Sequence, residues 1–323
     1  ELKPVFLDNI YKEMFKYFTP CSHLMVGRTN KDMRTRIILI SVFALIILFG
    51  GILTPAVGQG RIQPVVVLEV EGVINPFSAR YLDRVLDIAQ RSDAALVVMV
   101  LDTPGGLDTS MRQMVQSILQ SPVPVAVYVS PEGARAASAG LFILMAGDIA
   151  AMAPATNLGA AAPVALGGEM DEVMTEKMLN DSAAFARSLA ERHGRNVSWV
   201  ESSVRESLSM TSTEALEANV IDILAIDIDD LFSQVNGREV RGTRLDLSSF
   251  TLQLEKMNWV ERLYHIINDP NIAYMLLSLG TLFLLAELSD PGLSAAGIGA
   301  GLCFIIGFMA LGSLPVNWAA VGM

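Results

Sequence analysis

The chain has 323 residues, 52% of them hydrophobic, and a mean hydropathy of +0.44, high enough that part of it belongs in a bilayer. A formal charge of −11 and a pI near 4.8 argue against nucleic acid as a partner, because nucleic acid binds basic surfaces. Only Cys21 and Cys303 occur, both outside the central region, which therefore has no disulfide, thiol nucleophile or zinc-type cysteine cluster.

Residues 1–32 are polar and mixed, without periodicity. The chain reads as a fragment, opening on Glu1 and ending in apolar sequence, with Met33 as the expected start. Arg34 and Arg36 precede an uncharged apolar run at 37–53 and a small-residue stretch at 54–59, the layout of a secretory leader or, if it is not removed, an anchor. The flanking arginines favour the cytoplasm, which sends the chain after the apolar run outward.

From residue 61 the pattern is that of an α/β domain, expected to run to residue 252. The β-branched run at 65–70 reads as a strand and 81–88 as a helix, with Leu82, Val85, Leu86 and Ala89 at helical spacing. A buried strand is predicted at 94–101, a helix at 107–119, a third strand at 124–129 and a fourth at 148–152. This alternation implies parallel strands with helical crossovers. An alanine- and glycine-rich loop comes next at 159–168, then a long helix at 171–192 closed by Gly194 as a left-handed cap. A short capped helix at 213–219, a last core strand at 223–226 and an exposed hairpin over 238–252 around Gly242 complete the expectation.

Residues 253–323 read as an interfacial helix and the start of a multi-span membrane region. Trp259 and Tyr264 among charges in 254–267 suit a helix lying at the membrane surface. Residues 271–286 and 293–314 are uncharged and form an expected hairpin of spans, with glycines suited to close helix packing.

Three features in the central domain bear on chemistry. Ser138 lies in Ala-Arg-Ala-Ala-Ser-Ala-Gly at 134–140, where a strand gives way to a helix, so it is either an N-cap or a nucleophile at a helix N-terminus that favours negative charge. Asp-Thr-Pro-Gly-Gly at 102–106 is either a tight turn or a loop whose glycines bring backbone N–H groups close to a substrate. Between residues 61 and 244 there are 13 arginines and one lysine, Lys177. Arginine cannot give up its proton, whereas a desolvated lysine can, so Lys177 is either a solvated neighbour of Glu172 and Glu176 or a general base. The one histidine in that stretch, His193, sits at a helix end, where a cation complements the dipole, which makes a Ser-His-Asp triad a poor fit.

Together, Asp-Thr-Pro-Gly-Gly, Arg-Ala-Ala-Ser-Ala-Gly and a single lysine in the helix leading to Glu-Arg-His-Gly-Arg-Asn resemble the membrane-bound serine peptidases of the NfeD family, whose peptidase domain is of the ClpP class. The resemblance implies an α/β fold of the ClpP/crotonase type, a spiral of ββα units followed by transmembrane helices. It implies a Ser-Lys dyad, with Ser138 as nucleophile and Lys177 as the amine that takes its proton. Gly105 or Gly106, with the N–H of Ala139, would form the oxyanion hole; no cofactor or metal is implied. Asn219 stands where many relatives have glycine, and asparagine also tolerates a left-handed conformation. The implied protein is a multi-pass cell-membrane endopeptidase with its peptidase domain outside the cytoplasm, a homo-oligomer acting on apolar segments of stomatin-like membrane proteins. A crotonase-like acyl-CoA enzyme and a non-enzymatic scaffold for stomatin-like partners are the rival readings.

Overall fold

The computed structural model describes residues 63–164, 171–267, 270–289 and 295–312. The N-terminal extension with its leader or anchor at 37–53 lies outside the described residues, as do 165–170 of the alanine- and glycine-rich loop.

In chain order the α/β part comprises β1 (Gln63–Glu71), α1 (Pro76–Arg91), β2 (Leu96–Asp102), α2 (Asp108–Gln120), β3 (Val125–Val129), β4 (Arg135–Ala137), α3 (Ala139–Ala146), β5 (Ile149–Met152) and β6 (Asn157–Gly159). It continues with α4 (Glu172–Arg192), α5 (Val197–Arg205), β7 (Ser209–Thr211), α6 (Ser212–Glu217), β8 (Ile223–Leu224), α7 (Ile228–Val235), β9 (Glu239–Val240), β10 (Thr243–Arg244) and β11 (Phe250–Glu255). Three helices follow: α8 (Trp259–Ile267), α9 (Pro270–Ser289) and α10 (Ala295–Gly312).

The main sheet has the order β11-β1-β2-β3-β5-β8, every pair parallel. Its central strands carry core on both faces, which is why they read as unbroken apolar runs rather than as alternation. Behind the main sheet the chain makes a second, shorter layer. Ile74 bridges Gly106, Thr103 bridges Ala136, and β4 pairs with β6, which pairs with β7. The successions β3-β4-α3 and β5-β6-α4 are thus ββα units, and repeating them winds the chain into a spiral with the ends of the long strands opening onto the short layer.

Local chemistry sets the helix ends. Asn75 caps α1 with a reciprocal Ser78 bond and Pro76 in the first turn, and Thr211 caps α6 with Glu214 in the same way, each cap contributing about 1 kcal/mol. α4 ends at Gly194 (φ +66°), and Asn219 after α6 takes φ +55°, the left-handed conformation expected of it.

Three expectations are corrected at the C-terminal side of this domain. The hairpin expected over 238–252 is confined to β9 and β10, and Phe250–Glu255 instead adds to the main sheet beside β1, past residue 252. Phe250 packs edge-on against Phe232 with ring centroids 4.9 Å apart, and Tyr81 Oη donates to the Glu255 carbonyl at 2.7 Å. Burial pushes the Tyr81 phenol up to about 12, so it stays a donor. These partners are 18 and 174 residues away in sequence, out of reach of a local pattern. The helix expected from 254 accordingly starts only at Trp259, where Asn258 and Glu261 exchange side-chain to backbone bonds of 2.8 Å each. The strand at 223–226 shortens to Ile223–Leu224 and is the edge opposite β11.

α8 sits on α1 through a Phe77–Tyr264 stack at 4.9 Å and an Arg84–Glu261 pair at 2.8 Å, while Trp259 remains exposed. α9 and α10 run antiparallel in close contact: a Cβ on Gly280 would lie 3.1 Å from the Cys303 Cβ, and one on Gly299 would lie 3.1 Å from the Phe283 ring. Among the described residues one helix, α9, is long and apolar enough to cross a membrane, over Ile272–Ser289. The apolar stretch Ala295–Phe308 of α10 is shorter, and the rest of the expected second span lies partly outside the described residues.

Candidate active site

The site forms where the end of β2 meets the short layer. Thr103 is fully buried; its N–H donates to the Arg135 carbonyl at 2.8 Å and its carbonyl accepts from the Ala137 N–H at 3.1 Å, which fastens the 102–106 loop to β4. Thr103 Oγ1 then folds the loop on itself, accepting from the Gly105 N–H and donating to the Gly105 carbonyl, both at 3.0 Å. Neither residue type nor spacing had marked Thr103 for this; a threonine two residues before a Gly-Gly pair is a weak signal, since its bonds form only once the loop is closed.

The two glycines have different duties. Gly105 takes φ +120°, and a Cβ on it would lie 2.7 Å from the Ser138 Cβ and 3.2 Å from Oγ, so the loop reaches the serine only because this residue has no side chain. Gly106 lies against Ile74, where a Cβ would collide with the Ile74 backbone. Ile74 donates its N–H to the Gly105 carbonyl at 2.8 Å and accepts from the Leu107 N–H at 2.9 Å. In a parallel bridge made by the flanking residues, the N–H of the central residue points to the other side. Gly105 N–H is therefore committed to Thr103, whereas Gly106 N–H has no partner among the described residues.

Ser138 precedes α3 with φ +51° and ψ −113°, a conformation that L residues with a Cβ avoid. Its N–H donates to the Gly159 carbonyl at 3.0 Å and its carbonyl accepts from the Leu141 N–H at 3.1 Å, and these bonds hold the turn. The side chain makes no cap bond to α3, and Ser138 Oγ has no hydrogen-bond partner among the described residues. The N-cap alternative is thus not realised. Gly140 completes the approach, since a Cβ there would lie 2.7 Å from the Thr103 methyl. The N–H of Ala139, first in α3, also has no partner among the described residues, as expected at a helix start. Next to the loop is a cavity of about 500 Å³ lined mainly by polar residues, Glu71, Asp102, Arg135 and Asn157 among them.

The structure thus gathers Ser138, Gly105, Gly106 and Ala139, but it does not hydrogen-bond Lys177 to Ser138. Lys177 lies in the first turns of α4, is exposed, and makes no hydrogen bond or ion pair among the described residues. α4 is seated on α3 further along, through a Phe142–Phe185 stack at 5.8 Å, and its buried positions begin at Ser182. Val173 and Met174, on the same exposed turns, are 55% and 52% exposed.

His193 caps the end of α4, as its position implies, but not as a cation. Burial, reinforced by the Arg195 guanidinium, lowers it to about 4, so it is neutral at physiological pH and does not complement the dipole. Its neighbour Arg195 is buried and donates to the carbonyls of Met145 (2.9 Å) and Gly147 (2.8 Å) and to Asp222 (2.7 Å), at the far end of α3 from Ser138. An eight-residue helix is about 12 Å long, which separates this cluster from the serine.

Residues 64–237 match the NfeD1b N-terminal domain, and residues 271–323 match the NfeD integral membrane domain. The chain is 34% identical over 295 residues to the membrane-bound protease PH1510 of Pyrococcus horikoshii, covering 88% of this chain and 65% of that protein. It is 27% identical over 266 residues to the membrane protein NfeD1b of Bacillus subtilis, covering 77% and 57%. The chain thus spans about three fifths of the length of these curated relatives. Among solved structures, 1510-N, a membrane protease specific for a stomatin homologue from Pyrococcus horikoshii, superposes with a TM-score of 0.57 at 32% identity, over 64% of this chain and 99% of that one. A Lys→Ala variant of the same stomatin-specific protease, in complex with a substrate peptide, superposes with a TM-score of 0.60 at 32% identity, over 64% and 98%.

Proposed function

Because this chain belongs to the NfeD family, we propose that it is a membrane-bound serine endopeptidase that cleaves apolar segments of stomatin-like membrane proteins. The observation that carries the reading is Ser138: a hydroxyl held at positive φ, without a hydrogen-bond partner among the described residues, beside two uncommitted backbone N–H groups. Similarity to a stomatin-specific protease supports the substrate class.

In this mechanism Ser138 Oγ attacks the substrate carbonyl carbon while its proton passes to the neutral Lys177 amine. The carbonyl oxygen becomes an oxyanion sheltered by the N–H groups of Gly106 and Ala139, where the α3 dipole also favours negative charge. Lys177 then gives the proton to the departing amine, leaving an acyl-serine. Water, deprotonated by the same amine, hydrolyses that ester and restores Ser138. Gly106 rather than Gly105 is assigned to the oxyanion because the Gly105 N–H is already spent on Thr103.

A lysine acts as a base only as the neutral amine, a form favoured by burial. Lys177 therefore works in this scheme once the first turns of α4 fold over Ser138, and an apolar substrate laid against Val173 and Met174 would favour that closure by covering them. The proposed protein is a multi-pass, homo-oligomeric membrane protein with its α/β domain outside the cytoplasm.

The test uses the full chain in detergent micelles with a fluorogenic peptide of apolar residues. Cleavage is expected in the parent and loss of at least about a thousandfold in Ser138→Ala. Parent-like cleavage by Ser138→Ala overturns the assignment.

A further inference from the structure

The helix that precedes the apolar α9 reaches the turn beside the candidate site. His265, on α8, lies with Nε2 3.0 Å from the Glu71 carbonyl oxygen and Nδ1 3.1 Å from Asn75 Nδ2. A carbonyl oxygen only accepts, which assigns the proton to Nε2. Asn75 Oδ1, 3.3 Å from Nδ1, already accepts from the N–H groups of Phe77 and Ser78, both at 3.0 Å, so the nearer amide NH2 is assigned as the donor to Nδ1. The imidazole thus ties together the two ends of the turn at 71–75.

That turn holds the loop on which the oxyanion site depends. Gly72 N–H donates to the Asp102 carbonyl at 2.9 Å, and Ile74 bonds to Gly105 and Leu107 on either side of Gly106 at 2.8 and 2.9 Å. Asn75 is 2% exposed and leaves the turn directly into α1, so the turn has little freedom while His265 is in place. α8 itself is seated independently, by the Phe77–Tyr264 stack and the Arg84–Glu261 pair. Losing the imidazole bonds therefore frees the turn without undocking the helix.

We infer that His265 is a positioning residue: through Glu71 and Asn75 it fixes Ile74, and through Ile74 the Gly106 N–H, so that the seating of α8, the helix that precedes the apolar α9, sets the rate of the chemical step. The inference rests on the serine-peptidase reading above. It predicts a loss in kcat rather than in KM, because an oxyanion donor acts on the transition state and not on the bound peptide.

The experiment compares the full chain in detergent with Ser138→Ala, His265→Ala, His265→Leu and His265→Gln, using the fluorogenic apolar peptide well below each unfolding midpoint. Leu fills the ring's volume without either bond, and Gln can return an N–H to the Glu71 carbonyl. Deleting one oxyanion donor outright costs about 100- to 1,000-fold in kcat, so loosening it is expected to cost about tenfold in the Ala and Leu variants. KM should stay within about twofold, and Gln should recover most of kcat. A kcat within about twofold of the parent in the Leu variant, with Ser138→Ala inactive, overturns the positioning role and leaves the peptidase reading standing. A loss that Gln does not recover also overturns it, as a packing effect. Parent-like cleavage by Ser138→Ala removes the peptidase reading itself, and the inference with it.

Discussion

Gly105 and Ser138 are in contact through a space that only glycine leaves: a Cβ on Gly105 would lie 2.7 Å from the Ser138 Cβ. The substitution Gly105→Ala should therefore displace the serine as well as strain the loop at φ +120°. Gly242, also at positive φ (+77°) but with nothing within 4 Å of where a Cβ would stand, is the control for strain alone. Peptide cleavage by Gly105→Ala is expected to fall by at least about a hundredfold, and by Gly242→Ala less than about threefold, at matched folded concentration. Equal losses in the two variants would assign the effect to backbone strain and leave the contact with no role in cleavage.

Lys177 provides a second test, separate from Ser138. Lys177→Ala and Lys177→Arg should both lose nearly all cleavage while unfolding at the parent's temperature, since the side chain is exposed and makes no hydrogen bond or ion pair among the described residues. Arginine fails despite its size because it keeps its proton. If Lys177→Arg cleaved the apolar peptide at a parent-like rate, the base would have to be sought elsewhere.

The acid limb of stability should carry the signature of His193. The unfolded chain protonates this ring near its ordinary value of 6.5, whereas burial delays protonation in the native state to about 4. Between those values the unfolded state binds more protons, so this contribution is fully present above pH 6.5 and is lost as pH falls toward 4. Unfolding midpoints measured from about pH 7 down to about pH 4 should fall more steeply for the parent than for His193→Gln. Parallel curves would show that the ring titrates alike in both states.

Topology is open to a reporter active only outside the cytoplasm. The fusion belongs after Met257, because β11 runs to Glu255 and a junction at 252 would cut a strand of the main sheet. Activity of that fusion is expected; an expressed but inactive fusion would reverse the proposed orientation.

Much of the fold was legible because it is written in local chemistry. The buried strands are short apolar runs, α1 follows a helical repeat although it starts at Pro76 rather than at 81, and Gly194 and Asn219 announce left-handed ends. Each of these signals acts within one turn of chain, so it survives without knowledge of the rest. The strand-to-helix junction at Ser138 was legible for the same reason, as was the presence of two glycines in the 102–106 loop.

Tertiary structure alone decided the rest. Whether Ser138 Oγ caps α3 or stays free depends on the backbone turn held by the Gly159 carbonyl, 21 residues on. Which glycine N–H of the 102–106 loop is left without a partner among the described residues depends on Thr103 and Ile74 claiming the other bonds of the loop. The pairing of β11 with β1 and the His265–Asn75 bond join residues more than 180 positions apart. Residue type and spacing record what a segment prefers by itself, whereas these features arise only when distant backbone groups compete for the same partners.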